Sequence, residues 1–411
     1  MTTRFNTVQP RRGAPFRIAD YPPAVQDLLQ EKLRPVDEIV RSLPRRLRFF
    51  ASFALGQPRG ILRRLHIRDD WEEVYYLNAL VLEPYPILAN PRFFLRSGYF
   101  SPLDRLVADK LGKTIAHVPK QFCQFGEVLR SPDYLDAYFH SVTPPDAEGY
   151  VNLGTSVDVA LETIRHFHAT GRQIIFEINS HVPWVQGHAR HDGNRVPLAW
   201  ASAAYELHEP LAQLPPLAPS EAEQAIARHV LPFIEDGDTL QFGIGGVPNF
   251  IAAQIRDRRG LKIHSEMLTD AMVDLQTAGA IDSAGKGYMD GLIIGTFAAG
   301  TDKLYDWLDR NPAVMLLPVD EVNDVRVIAQ NQRLKSINST ILVDFNGQAA
   351  SDAIGSSQVS GIGGQLEFVT GAQLSPGGRS LLCLKSCNRV RGELRSCIVP
   401  TLPAGTPVSV P

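Results

Sequence analysis

Glu266 is the residue whose setting most calls for chemistry. It stands in LKIHSEMLTDAMVDLQTAGAI (261–281), after a strand-like segment from Leu261 to His264 and before a helix pattern. Thr269 and Asp270 are candidate caps of that helix, and Met272, Leu275 and Ala278 give it an apolar stripe. A carboxylate at the carboxyl end of a strand, just ahead of a helix, faces the ligand crevice of an open α/β sheet. There it can serve as a nucleophile; it can equally cap backbone N–H groups and complement the helix dipole. His264, two residues earlier, would share its face on a strand, as an orienting partner or as a hydrogen-bonded structural histidine.

Two glycine tetrads carry a second signal. GIGGVPNF (243–250) and GIGGQLEF (361–368) each follow a strand-like segment. Glycines there let backbone pass close to a ligand and expose consecutive N–H donors. The first tetrad departs from the dinucleotide fingerprint GxGxxG, because Pro248 or Asn249 stands at the last glycine's place. Either tetrad can be a plain tight turn, but Gln365 and Glu367 beside the second favour a working loop. A third constellation is His181, His188, His191 and Asp192 in SHVPWVQGHARHD. His188 and His191 could share one face of a helix. Pro183 and Gly187 point to a polar loop instead, and HExxH is missing, so no metal site is expected. A serine-hydrolase elbow, GxSxG, is also missing.

The elements that must position these residues alternate between strand and helix. A chain of 411 residues exceeds one ordinary core, which predicts two domains. Residues 1–45 read as a loosely structured start, 46–212 as an N-terminal α/β domain and 213–411 as a C-terminal α/β catalytic domain, joined by the proline-rich LAQLPPLAPS (211–220). In the first, Ser156 is the expected cap of a helix carrying Val157, Ala160, Leu161, Ile164 and Phe167, followed by Gly171 and the strand QIIFEIN (173–179). In the second, Ser220 and Glu223 make a capping box, and Pro232 is expected to kink or end that helix.

Bulk properties narrow the class. With 44% hydrophobic and 21% charged residues, the chain reads as a soluble globular protein. A net charge of −3 gives no reason to expect nucleic acid, and the basic run of Arg45, Arg46 and Arg48 reads as a solvated helix face. Cys123, Cys383, Cys387 and Cys397 are too few for a disulfide scaffold and fit a reducing, cytoplasmic setting. No window reaches the ~18 apolar residues of a membrane span, and the amino terminus lacks the apolar region of a secretory signal.

GIGGVP, IHSEMLTD, SINS…VDFNGQ and SGIGGQLEFVTGAQLS, in that order, resemble the acetyl-CoA hydrolase/transferase family, which includes acetate, butyrate and 4-hydroxybutyrate CoA-transferases. SVTPPDAEGYVNLGTSVD (141–158), FEINSHVPWVQG (176–187) and YELHEPL (205–211) fit as well, so the resemblance spans roughly residues 50 to 405. It implies two α/β domains of CoA-transferase type with the active site in the cleft between them. It further implies that Glu266 is the nucleophile and that backbone N–H groups of Gly364, with Gly363 adjacent, receive the oxyanion. Gly243, Ile244, Gly245, Gly246 and Val247 fall at a CoA-contacting segment, as do Ile341, Ser360 and Gly364, while Asn323 matches an active-site asparagine. Coenzyme A is then a substrate, with no permanently bound cofactor and no metal. The partners are an acyl-CoA and a short-chain carboxylate, with no nucleic acid and no membrane, and a homo-oligomer is compatible. Two features depart from the family: KSCNRVRGEL (385–394) lacks the usual small-residue pattern, and the family continues past the segment SCIVPTLPAGTPVSVP. The resemblance therefore leaves open a transferase, a hydrolase and an inactive CoA-binding protein, and it does not specify the acyl group.

Overall fold

The computed structural model describes residues 10–411 apart from Asp133, Leu217, Ile244 and Arg391. Its larger sheet has seven parallel strands, in the spatial order Ile115–His117, Phe93–Ser97, Glu73–Asn78, Arg46–Ala51, Ala137–Val142, Gln173–Ile178, Ala203–Glu206. The strands Arg46–Ala51 and Ala137–Val142 are neighbours but far apart in sequence, so the order reverses there. A second parallel sheet runs Lys262–Ile263, Thr239–Phe242, Leu334–Ser339, Arg379–Cys383. Parallel strands need covering on both faces, which is why Tyr138, Phe139, Ile174 and Phe176 are buried in succession along theirs. The fold is the expected α/β class. Among the described residues no helix is long and apolar enough to cross a membrane.

Local signals decide most element ends. Ser220 accepts a hydrogen bond from the Glu223 amide while the Glu223 carboxylate takes the Ser220 amide, and the helix Glu221–Val230 starts there. It stops before Pro232, where a 3-10 turn, Leu231–Phe233, takes over. Ser156, in contrast, does not cap the helix Ala160–Ala169; Val159 holds that position without a side-chain bond. Ser156 is fully buried, and its hydroxyl serves the Phe53 carbonyl (3.2 Å) and the Asp158 carboxylate. A buried acceptor outranks a helix end that can be satisfied otherwise.

The amino-terminal segment also differs from a loose start. Helices Pro23–Lys32 and Val36–Ser42 bury Val25, Leu29, Ile39 and Val40. Pro23 sits in the first turn and Pro35 just before the second helix, positions where proline starts a helix rather than breaking it.

Phe49, wholly buried, lies between Tyr76 and Phe139 with ring centroids 4.8 and 4.9 Å away. Phe49→Ala is expected to lower unfolding stability by about 3–5 kcal/mol. Denaturant titration checks this as a drop in midpoint.

Candidate active site

The carboxyl ends of both sheets converge on one cavity of about 380 Å³. Phe53, Leu80, Gly98 and Tyr99 enter it from just beyond the strands of the larger sheet. Phe242, Gly243, Glu266, Thr340 and Ile341 enter it from the strand ends of the smaller one. This is the crevice position that α/β topology reserves for ligands.

Glu266 lies between the short strands Lys262–Ile263 and Met267–Leu268. Its carbonyl accepts from the amides of Thr296 (3.0 Å) and Phe297 (3.4 Å), which fixes its Cα. The Asn323 side-chain amide donates to its carboxylate at 2.6 Å. Gly364 closes the other side so tightly that a Cβ there would lie 2.0 Å from the carboxylate and 2.1 Å from the Asn323 nitrogen. The residue as a whole is only partly buried, but its carboxyl is desolvated. Desolvation pushes its pKa up to about 7; the Asn323 hydrogen bond opposes the rise, and the nearby charges of Glu367 and Asp158 add to it.

Asn323 directly follows the short helix Val319–Val322. His264 is fully buried and its Nε2 lies 2.8 Å from the Val322 carbonyl. Burial drives its pKa down to about 3, so the ring is neutral and donates to that carbonyl. Of its two sequence readings the geometry supports the structural one, since its ring bonds backbone and not the Glu266 carboxylate.

The second tetrad lies at the cavity. Ser360, Gly361, Ile362, Gly363 and Gly364 all line the cavity. Gly363 takes φ +60° and its carbonyl accepts from the Phe122 amide at 3.1 Å, tying the loop to the N-terminal half. The first tetrad contributes less. Gly243 borders the cavity, where a Cβ would meet the Asn338 oxygen at 2.9 Å. Gly245 is exposed, Gly246 opens the helix Gly246–Gln254 against the Glu223 carboxylate, and Val247 sends its side chain into the core. Ile244 lies outside the described residues. Of the remaining residues, Ile341 lines the cavity, and Asn323 reaches it through its bond to Glu266 while also bordering a neighbouring pocket with Cys123 and Glu367.

Sequence reading missed the aromatic wall. Phe122 packs against Phe53 (4.9 Å) and Phe297 (6.1 Å), and Phe125 against Phe53 (5.4 Å). It also missed Gln241 and Asn338, whose side-chain amides bond each other at 2.9 and 3.1 Å on the cavity's surface. Asn338 lies within the SINS motif, but its partner Gln241 and the aromatic residues are brought together from chain segments remote in sequence. Among the described residues no three His, Cys, Asp or Glu side chains converge as metal ligands. His191 pairs with Glu321 at 2.7 Å, and His188 accepts from the Arg190 amide at 3.2 Å.

Comparison with known proteins follows the same outline. The pattern of the acetyl-CoA hydrolase/transferase N-terminal domain matches residues 108–195, and that of the C-terminal domain matches residues 300–411. A 4-hydroxybutyrate coenzyme A transferase of Clostridium kluyveri is 30% identical over 389 residues, covering 93% of this chain and 88% of its own. A probable butyrate:acetyl-CoA coenzyme A-transferase of Syntrophomonas wolfei is 35% identical over 365 residues, with 87% and 78% covered. The crystal structure of a 4-hydroxybutyrate CoA-transferase from Porphyromonas gingivalis superposes with a TM-score of 0.74 at 26% identity, over 93% of this chain and 87% of that one.

Proposed function

Because the chain belongs to the acetyl-CoA hydrolase/transferase family, we propose that it moves coenzyme A from an acyl-CoA to a short-chain carboxylate, with Glu266 as the covalent carrier. The Glu266 carboxylate attacks the thioester carbonyl, expels CoA thiolate and becomes an acyl-glutamyl anhydride. The thiolate then attacks the glutamyl carbonyl, releasing the first carboxylate and leaving a glutamyl-CoA thioester. An incoming carboxylate reverses both steps and departs as its own CoA ester, so kinetics are ping-pong.

The observation that carries this reading is the Glu266 carboxylate held between the Asn323 amide and the Gly364 backbone where two sets of strand ends meet. Each tetrahedral intermediate needs fixed donors. In this reading Gly363 and Gly364 supply backbone N–H groups, and Asn323 restrains the attacking oxygen. Gly243, Ile341 and Ser360 flank the path of the CoA chain, with Gly245, Gly246 and Val247 offering backbone at its outer end. Phe53, Phe122, Phe125 and Phe297 favour an uncharged acyl tail, since Glu266 and Lys120 are the charged side chains among the described cavity residues.

The raised pKa sets a pH dependence. Glu266 attacks only when ionised, so kcat/KM is expected to rise with pH through about 7 and level off above it. Folding linkage has the opposite sign. The folded carboxyl keeps its proton to about 7 where the unfolded one releases it near 4.5, so this contribution to stability is present below the lower value and lost through the upper. Glu266→Gln, which cannot ionise, is therefore expected to melt higher than the wild type at about pH 8, a difference that fades toward pH 4.

The reaction itself is tested by a paired assay with acetyl-CoA, with and without butyrate. Butyryl-CoA formed only with acceptor, without free CoA, is the expected result. Free CoA released at the same rate without acceptor would instead make the protein a hydrolase.

A further inference from the structure

The histidine loop has no part in the chemistry above, yet it meets the element that carries Asn323. His191 Nε2 lies 2.7 Å from a Glu321 carboxylate oxygen, and Arg190 engages the other oxygen of the same carboxylate. The Tyr288 hydroxyl bonds the Arg190 guanidinium at 2.7 Å and also contacts Glu321. Glu321 belongs to the helix Val319–Val322, and the next residue but one is Asn323.

A helix of four residues is about one turn and cannot hold its own orientation. External ties must set it. The Val319 amide donates to the Asp158 carbonyl at 3.0 Å, and His264 donates to Val322 at 2.8 Å. The Glu321 cluster is the third tie, and its His191 and Arg190 come from the N-terminal half. The Glu321 side chain is 13% exposed and that of His191 17%, so the pair is less screened than an ordinary surface bridge. Burial works against the Glu321 charge, but hydrogen bonds from His191, Tyr288 and Arg190 hold its pKa down to about 2.

We propose that Arg190 and His191 are positioning residues for the transfer reaction: by latching Glu321 they fix where the Asn323 amide meets the Glu266 carboxylate. The inference rests on reading Glu266 and Asn323 as partners at the reacting centre. It also gives the histidine loop a role other than metal binding.

The test is a mutant cycle read as kcat and KM with acetyl-CoA and butyrate. The double variant Arg190→Met/His191→Leu is expected to lose about tenfold in kcat, as a small misplacement near the chemistry does, with KM for acetyl-CoA within about twofold. His191→Gln, which keeps a donor, is expected to retain most of kcat. Put into an Asn323→Ala background, the double change is expected to cost nothing further, because its effect passes through Asn323. An unchanged kcat in the double variant, or the same tenfold loss on top of Asn323→Ala, would overturn the latch. Should the double variant fail to fold, Glu321→Gln reads the same cycle while keeping the helix residue's size. A wild-type kcat in Asn323→Ala itself would overturn the reading of the site, and the latch with it.

Discussion

Glu266→Gln is expected to lose at least about four orders of magnitude in kcat while still binding coenzyme A. The substitution keeps size and shape, so the hydrogen bond from Asn323 (2.6 Å in the wild type) can persist to the glutamine oxygen. What disappears is the charge and the oxygen that attacks in the proposed mechanism, and with them its covalent route. Fixed dipoles and binding alone leave a small residual rate, as in other covalent enzymes stripped of their nucleophile. Because the carboxyl is desolvated in the folded protein, removing its charge costs no stability at neutral pH. Loss of activity with an unchanged or higher Tm would therefore separate chemistry from folding. A fall of less than tenfold would mean that Glu266 holds structure only.

Gly364→Ala is the second large effect, and it is a sharper test of geometry. The added methyl would lie 2.0 Å from the Glu266 carboxylate and 2.1 Å from the Asn323 amide, well inside contact distance, so one of them must swing away. Gly364 has φ −109°, a value alanine adopts without strain, so the backbone has no reason to resist the change. The expected result is a kcat lower by about two to three orders of magnitude with Tm shifted by only a few degrees. Gly363→Ala should behave in the opposite way. Its φ is +60° and its nearest contact is 3.8 Å away at Tyr99, so the cost falls on stability, about 1–2 kcal/mol, more than on the reacting carboxylate. Equal losses of kcat in the two variants would contradict the assignment of Gly364 as the residue against Glu266.

The contrast between these glycines bears on what the sequence could convey. A glutamate after a strand and before a helix is a local arrangement, and Glu266 is legible from its own neighbours. Gly364 is legible as a turn glycine, but the carboxylate that forbids its side chain is almost a hundred residues away. The aromatic wall is wholly non-local: Phe53, Phe122 and Phe297 follow three separate chain segments and show no periodicity together. Ser156 shows a local rule overridden, since a serine before an apolar helix pattern normally caps it, and only burial beside Phe53 and Asp158 diverts the hydroxyl. In the first tetrad, where five consecutive residues were expected at the ligand, Gly243 borders the cavity while the helix starting at Gly246 turns the Val247 side chain into the core, a difference no local motif conveys. The two amino-terminal helices lie in a segment expected to be loosely structured, and Pro23 and Pro35 mark where they begin.

The central claim is that coenzyme A passes through a thioester on Glu266. The most direct measurement is to incubate the protein with acetyl-CoA, treat it with borohydride, digest it and locate the reduced residue by mass spectrometry. The account predicts that the peptide spanning residue 266 carries the glutamate side chain reduced to an alcohol, and that butyrate, added after free acetyl-CoA has been removed and before the borohydride, abolishes this mark. Reduction at a different residue, a borohydride-reduced residue still formed in Glu266→Ala, or turnover with no trapped residue at all, would contradict it.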